Sequence, residues 1–219
     1  ERTPMEKISF YDLLTIFLPG ALLTLAIQLI LGDIGFPDIN LNLDQYFSLT
    51  VFLGSSIFLG SFIHYLTELL LPFLRKVGLF TPIERLYPKM KNLNIMDEYY
   101  ERMKNEIASS SKTKLDEHGI MEGVWAKIYY YLEANDKIGA PKAFQSFYFF
   151  FRNFFTLGII LIIPFITLIV FADSYEKYIF LIIIDLLAIV LSILAGRLNR
   201  MKMVERMFWS YYSLRNNPS

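Results

Sequence analysis

The sequence has no cysteine and only two histidines, His64 and His118. Disulfides and a thiolate nucleophile are therefore excluded, and two histidines alone do not build a common zinc site. No metal or cofactor is expected. Also missing are a P-loop, a Gly-rich dinucleotide fingerprint, an HExxH pair and a Gly-x-Ser-x-Gly elbow. The acids of the middle region include the adjacent pairs Asp97-Glu98 and Asp116-Glu117, and sequence neighbours do not face a common substrate. With no catalytic residue to assign, the chain reads as a non-enzyme. It lacks repeats and low-complexity tracts, which places a small transporter last among membrane functions. The most telling shortage is of positive charge. Of 21 Lys and Arg, every one except Lys177 falls in the N-terminus, the middle segment or the C-terminus.

What is present is long apolar sequence. Residues 10–31, 46–74, 154–171 and 178–198 approach or exceed the ~20 residues that cross a hydrocarbon core. Hydrophobic residues make up 54% of the chain and its mean hydropathy is positive, as expected of a polytopic membrane protein. The Lys/Arg asymmetry is the positive-inside pattern. The expected fold is therefore all-α, with four transmembrane helices, a small helical cytosolic region and both termini in the cytosol. The expected layout is a membrane hairpin at 1–74, a cytosolic helical region at 75–152, a second hairpin at 153–198 and a cytosolic tail at 199–219. The connection 32–45 carries Asp33, Asp38 and Asp44 and no Lys or Arg. Met5 reads as a natural start, residues 1–4 as a scar ahead of it, and the first span as a retained anchor without a cleavage site.

Local signals place the elements. Ser9 followed by Asp12 resembles a capping box at the start of the first span. Pro19-Gly20 should kink that span by removing a backbone donor. The second span is longer than a straight crossing needs, so it should tilt or project, and Pro72 with Arg75-Lys76 marks its end. Thr81-Pro82-Ile83-Glu84 is a helix start, and Pro88 ends or interrupts that helix. Helices are expected at 97–108 and 121–134, with a loop at 109–119 and a break at Gly139-Ala140-Pro141. The third and fourth spans should continue into the cytosol, the third beginning near Lys142 with Pro164 inside it.

Two polar faces interrupt the apolar spans. On the second span Ser56, Gly60, His64 and Glu68 recur every four residues, and Gly54, Ser61 and Glu68 every seven. Both series lie on one broad face. Its upper half is small-xxx-small, which allows close helix approach. This is either a packing face, with Glu68 reaching toward Arg75, Arg152 or Arg200, or the lining of a pore or polar cavity. On the fourth span Asp185, Ser192 and Asn199 recur every seven residues. A carboxylate at the depth of Asp185 costs about 2.5–3.5 kcal/mol on insertion scales, so it should face protein or water. It either holds helices together or lines an ion path, and a ring of such acids in a symmetric oligomer favours cations.

A basic cluster in the middle region comprises Arg102, Lys104, Lys112, Lys114 and Lys127, the last near Tyr129-Tyr130-Tyr131. Charge plus aromatic rings can hold a phosphorylated or nucleotide-like ligand. Such residues also serve as a solvated face or as contacts to anionic headgroups. The lipid bilayer is the one partner implied directly, and no duplex nucleic acid is indicated.

Three pieces carry a family resemblance. They are Ser9-Phe10-Tyr11-Asp12-Leu13-Leu14-Thr15-Ile16-Phe17-Leu18-Pro19-Gly20, the aromatic run leading into Arg152-Asn153, and the Arg-, Lys- and aromatic-rich tail 197–214. Together they resemble small bacterial four-helix membrane proteins found beside antiphage defence genes, most nearly the membrane effector of Hailong-type systems. That resemblance implies an oligomeric ion channel of the inner membrane, a tetramer, whose opening depolarises the infected cell. It also implies control by nucleotide oligomers from a partner nucleotidyltransferase. It carries over no individual site residue. The competing expectation is a non-conducting membrane scaffold that recruits a soluble partner through residues 75–152 and the tail.

Overall fold

The structure is a computed structural model. It describes residues 11, 13–34, 45–80, 101–102, 104–109, 117–171 and 175–216. Among these the chain is helical, without strands. A π-helical stretch, Leu13–Phe17, leads into α1, Leu18–Asp33. Then follow α2, Gln45–Lys76, α3, Glu117–Ala134, α4, Gly139–Phe171, and α5, Tyr175–Asn216. Residues 101–102 and 104–109 are also helical. The Ser9/Asp12 capping box and the helix start at 81–84 lie outside the described residues.

Four helices are long and apolar enough to span a membrane: Leu13–Asp33, Phe47–Lys76, Gly139–Val170 and Tyr175–Arg215. The third and fourth spans do run on as unbroken helices. At 1.5 Å per residue the 42 residues of α5 extend about 60 Å, twice the thickness of a hydrocarbon core. Pro164 sits inside α4, as expected, and Pro72 sits in the last turns of α2, which ends at Lys76. Neighbouring helices and side chains can satisfy the carbonyls that proline frees within a membrane.

The chain divides into two compact units, 1–80 with 146–197 and 81–145 with 198–219. In the first, α4 is the shared partner. Leu23 of α1, Ile63 of α2 and Leu157 of α4 form one buried cluster. Phe165 and Leu168 of α4 with Tyr178 of α5 form another. Leu71 and Leu74 of α2 join Tyr148, Phe155 and Phe80 in a third. α2 ends where Gly78 turns to φ 80, so that the Leu79 N–H reaches the Leu74 carbonyl at 2.9 Å. This six-to-one bond with its Leu–Leu contact is the usual glycine-assisted helix stop. Phe80 follows at φ 51, a strained value for a bulky residue. Its ring is 2% exposed, edge-on to Tyr148 and Phe155, and that burial holds the backbone in place.

The second unit has its own core. Val124, Ile128 and Leu132 form one stripe of α3, and Val204, Met207, Phe208 and Tyr211 form one stripe of α5. These spacings define single helix faces. The unit therefore packs as an ordinary amphipathic assembly, unlike the membrane segment of α5, which is apolar on nearly every side.

Candidate functional site

The first unit contains a polar cluster built around a missing donor. Pro19 has no N–H to give to the carbonyl four residues back, which belongs to Thr15. The Asn153 side-chain amide of α4 donates to that carbonyl at 2.7 Å. Because a carbonyl only accepts, this bond fixes which side-chain atom of Asn153 is nitrogen. The same nitrogen lies 3.1 Å from Nδ1 of His64 on α2, so Nδ1 accepts and the ring proton belongs on Nε2. Nε2 is 4.0 Å from Oε1 of Glu68. Glu68 in turn is hydrogen-bonded and ion-paired to Nη2 of Arg152, the neighbour of Asn153. Arg152 is the partner among the three arginines expected to be in reach.

Arg152 is 2% exposed. Its guanidinium stands 4.4 Å from the Phe149 ring centre and 5.7 Å from that of Tyr148, favourable positions for a cation over π faces. One turn further along α4, the hydroxyls of Thr156 and Thr67 are 2.8 Å apart and fully buried. Thr156 lies four residues from Arg152 and three from Asn153, on the same side of α4, so Thr15, Asn153, His64, Glu68, Arg152, Thr67 and Thr156 join the first stretch, α2 and α4. Two buried atoms of this cluster, Asn153 Oδ1 and Arg152 Nε, have no hydrogen-bond partner among the described residues.

Above the cluster α1 and α2 touch through backbone. A Cβ at Gly20 would lie 1.7 Å from the Ser56 carbonyl oxygen, and one at Gly60 would lie 1.9 Å from that of Ile16. Each glycine thus points a Cα hydrogen at the facing carbonyl, a weak but recurrent bond between close helices. Ser56 is fully buried, donating to Phe52 O at 2.7 Å. Ser56, Gly60, His64 and Glu68 all face elements of their own chain. The seven-residue series does not follow them, for Gly54 and Ser61 are exposed.

The seam on α5 is different. Asp185 is half-buried beside Gly158 of α4, where its Oδ1 lies 3.0 Å from the position of an added Cβ. Gly158 therefore makes the room the carboxylate occupies. Asp185 Oδ2 is buried without a hydrogen-bond partner. Ser192 is buried, and Asn199 is half-buried in the second unit.

Three residues of the basic cluster are described. Arg102 is exposed, Lys104 lies 3.9 Å from Glu101, and Lys127 is paired with Glu106 at 2.5 Å. Lys112 and Lys114 lie outside the described residues. Among the described residues no three His, Asp or Glu side chains are grouped to hold a metal ion.

Sequence reasoning missed Thr15, Thr67 and Thr156, named Arg152 as one of three possible partners of Glu68, and treated Asn153 only as a landmark. The signals were available: a proline four residues after Thr15, and an Arg-Asn-x-x-Thr face inside an apolar helix. No protein-family model, curated protein or solved structure matches the chain.

Proposed function

We propose that this chain is one subunit of an oligomeric ion channel in a bacterial inner membrane, with both termini and the second unit on the cytosolic side. It acts in antiphage defence by depolarising the membrane, under control of a nucleotide-like ligand at the second unit. The observation that carries the reading is the state of α5. Among the described residues only 11% of its apolar span is buried within the chain, yet it carries Asp185 with an oxygen that none of them satisfies. A carboxylate at that depth calls for water or protein, and four spans leave one subunit little interior. Copies arranged about an axis with α5 inward would surround a path with Asp185. The orientation has its own support. Lys177, the one exception to the charge pattern, is neutralised by Asp33 at 2.6 Å.

Reconstitution in liposomes tests the reading through cation flux. Asp185→Asn should change flux and the cation/anion ratio at equal reconstitution, and unchanged values remove Asp185 from the path. The second reading, a non-conducting scaffold, is favoured by Glu68, whose charge is already paired with Arg152. Wild-type protein that passes no ions in liposomes and leaves cells polarised, while still recruiting a soluble partner, would establish the scaffold instead.

A further inference from the structure

The C-terminal part of α5 has two faces, and only one of them is used in the core. Val204, Met207, Phe208 and Tyr211 are buried against α3. Arg206, Ser210 and Ser213 recur at four- and three-residue spacing along another stripe, with Trp209 and Leu214 at its border. This stripe, together with Lys137 and Ala140 from the turn into α4, walls a cleft of about 430 Å³ inside the second unit. That volume lies within the range of about 300–1,000 Å³ typical of small-molecule sites.

The turn fixes Lys137 in place. Asp136 adopts φ 55, and the Lys137 N–H returns to the Leu132 carbonyl at 2.9 Å. The lysine follows directly where the chain leaves α3. Other nearby cations are neutralised: Lys142 by Glu133 at 2.8 Å and Lys127 by Glu106. Neither Lys137 nor Arg206 has an ion pair among the described residues. The cleft thus offers two unneutralised cations, two hydroxyls and an indole, with no acid in its wall. An acidic wall would repel phosphate; this one would attract it.

We infer that the cleft walled by Lys137, Arg206, Trp209, Ser210 and Ser213 binds a nucleotide. Arg206 and Lys137 take the phosphate by charge-assisted bonds, the serine hydroxyls donate to its oxygens, and Trp209 stacks with the base. None of the lining residues is among the basic residues singled out in the sequence. The site deepens the ligand-controlled channel reading and rests on that reading only for what binding would do to ion flux.

The test uses the full chain in phosphatidylcholine nanodiscs. Calorimetry with ATP and with the linear dinucleotide pApA measures affinity. In a Trp125→Phe background Trp209 is the single indole left, since the chain has two tryptophans, and its fluorescence reports occupancy. Saturable binding with Trp209 quenching is expected. Arg206→Gln and Lys137→Gln, both changes at exposed positions, should each weaken it about tenfold or more at unchanged melting temperature. Absence of saturable binding overturns the proposal, as does binding indifferent to both substitutions. Quenching that appears only when phosphatidylglycerol is added to the discs, without nucleotide, assigns the cleft to lipid headgroups and also overturns it. Intact binding without ion flux would count against the channel and not against the site.

Discussion

The two polar faces read from the sequence differ at one residue, Asp185. The α2 face is consumed inside the chain: Ser56 and Gly60 by backbone contact with the α1 region, His64 by Asn153, Glu68 by Arg152. On α5, Asp185 keeps an oxygen unsatisfied among the described residues, on the span least covered by its own chain. Polar residues at helical spacing inside a membrane therefore do not share one meaning. Where donors and acceptors pair across helices they hold the bundle together, and where one is left over it points to something outside the chain.

The strongest way to break this contrast is at the glycines. Gly60→Leu forces a side chain into the Ile16 carbonyl and should destabilise the protein by at least about 3 kcal/mol. Gly54→Leu, six residues away on the same helix, meets nothing within 4 Å and should change stability by no more than about 0.5 kcal/mol. Unfolding in mixed micelles measures both, and equal losses would mean that helix propensity, not close approach, governs α2.

Next in size is the ion pair, which should respond unequally to loss of either partner. Glu68→Gln leaves Arg152 charged and 2% exposed. Breaking a fully buried pair costs about 3–5 kcal/mol. Glu68 is itself 45% exposed, so about 2 kcal/mol is expected after solvent screening. Arg152→Met leaves a carboxylate that can reach water and should cost about 1 kcal/mol. If the order reverses, the cation–π contacts with Phe149 and Tyr148 contribute more than the ion pair. Asp185→Asn, by contrast, changes a carboxylate with an oxygen that has no hydrogen-bond partner among the described residues, and its effect should lie between zero and about 1 kcal/mol of stabilisation. A loss of 2 kcal/mol or more would place Asp185 with Glu68 as a structural residue and erase the distinction between the faces.

The helices, their approximate ends and the amphipathic stripes of the second unit were legible because apolar period and glycine or proline punctuation are local signals. The Ser56–Gly60 spacing foretold close packing for the same reason. The seven-residue companion series misled: Gly54 and Ser61 lie within the arc that the periodicity allows but outside the narrower contact made by one neighbouring helix. The polar cluster was illegible because it depends on long-range pairing. Nothing near Thr15 announces that Asn153, 138 positions away, will meet its freed carbonyl. The cationic cleft was missed for a related reason, since Lys137 joins Arg206 only once α3 has reversed the chain.

The smallest expected effect sharpens the contrast between ion pairs. Glu68–Arg152 lies among apolar helices, whereas Lys127 and Glu106 are paired in the second unit between side chains that are 39% and 59% exposed. The Lys127 ammonium, by hydrogen bond and then by charge, holds the Glu106 carboxyl below its ordinary value of 4.5. A carboxyl depressed in the folded state binds its proton more readily in the unfolded state. Its contribution is therefore present in full above pH 4.5 and is lost as pH falls through the lower folded value. Lys127→Met should reduce stability slightly at pH 7, and the gap from wild type should close as the pH is lowered past that point. It should also shrink in 1 M salt, where the screening length is about 3 Å. Paired thermal melts across pH 3–7 make the measurement. A gap that persists at pH 3 and in high salt would show that Lys127 acts through its packed methylenes, and that this pair contributes no electrostatic stability to set beside that of Glu68 and the buried Arg152.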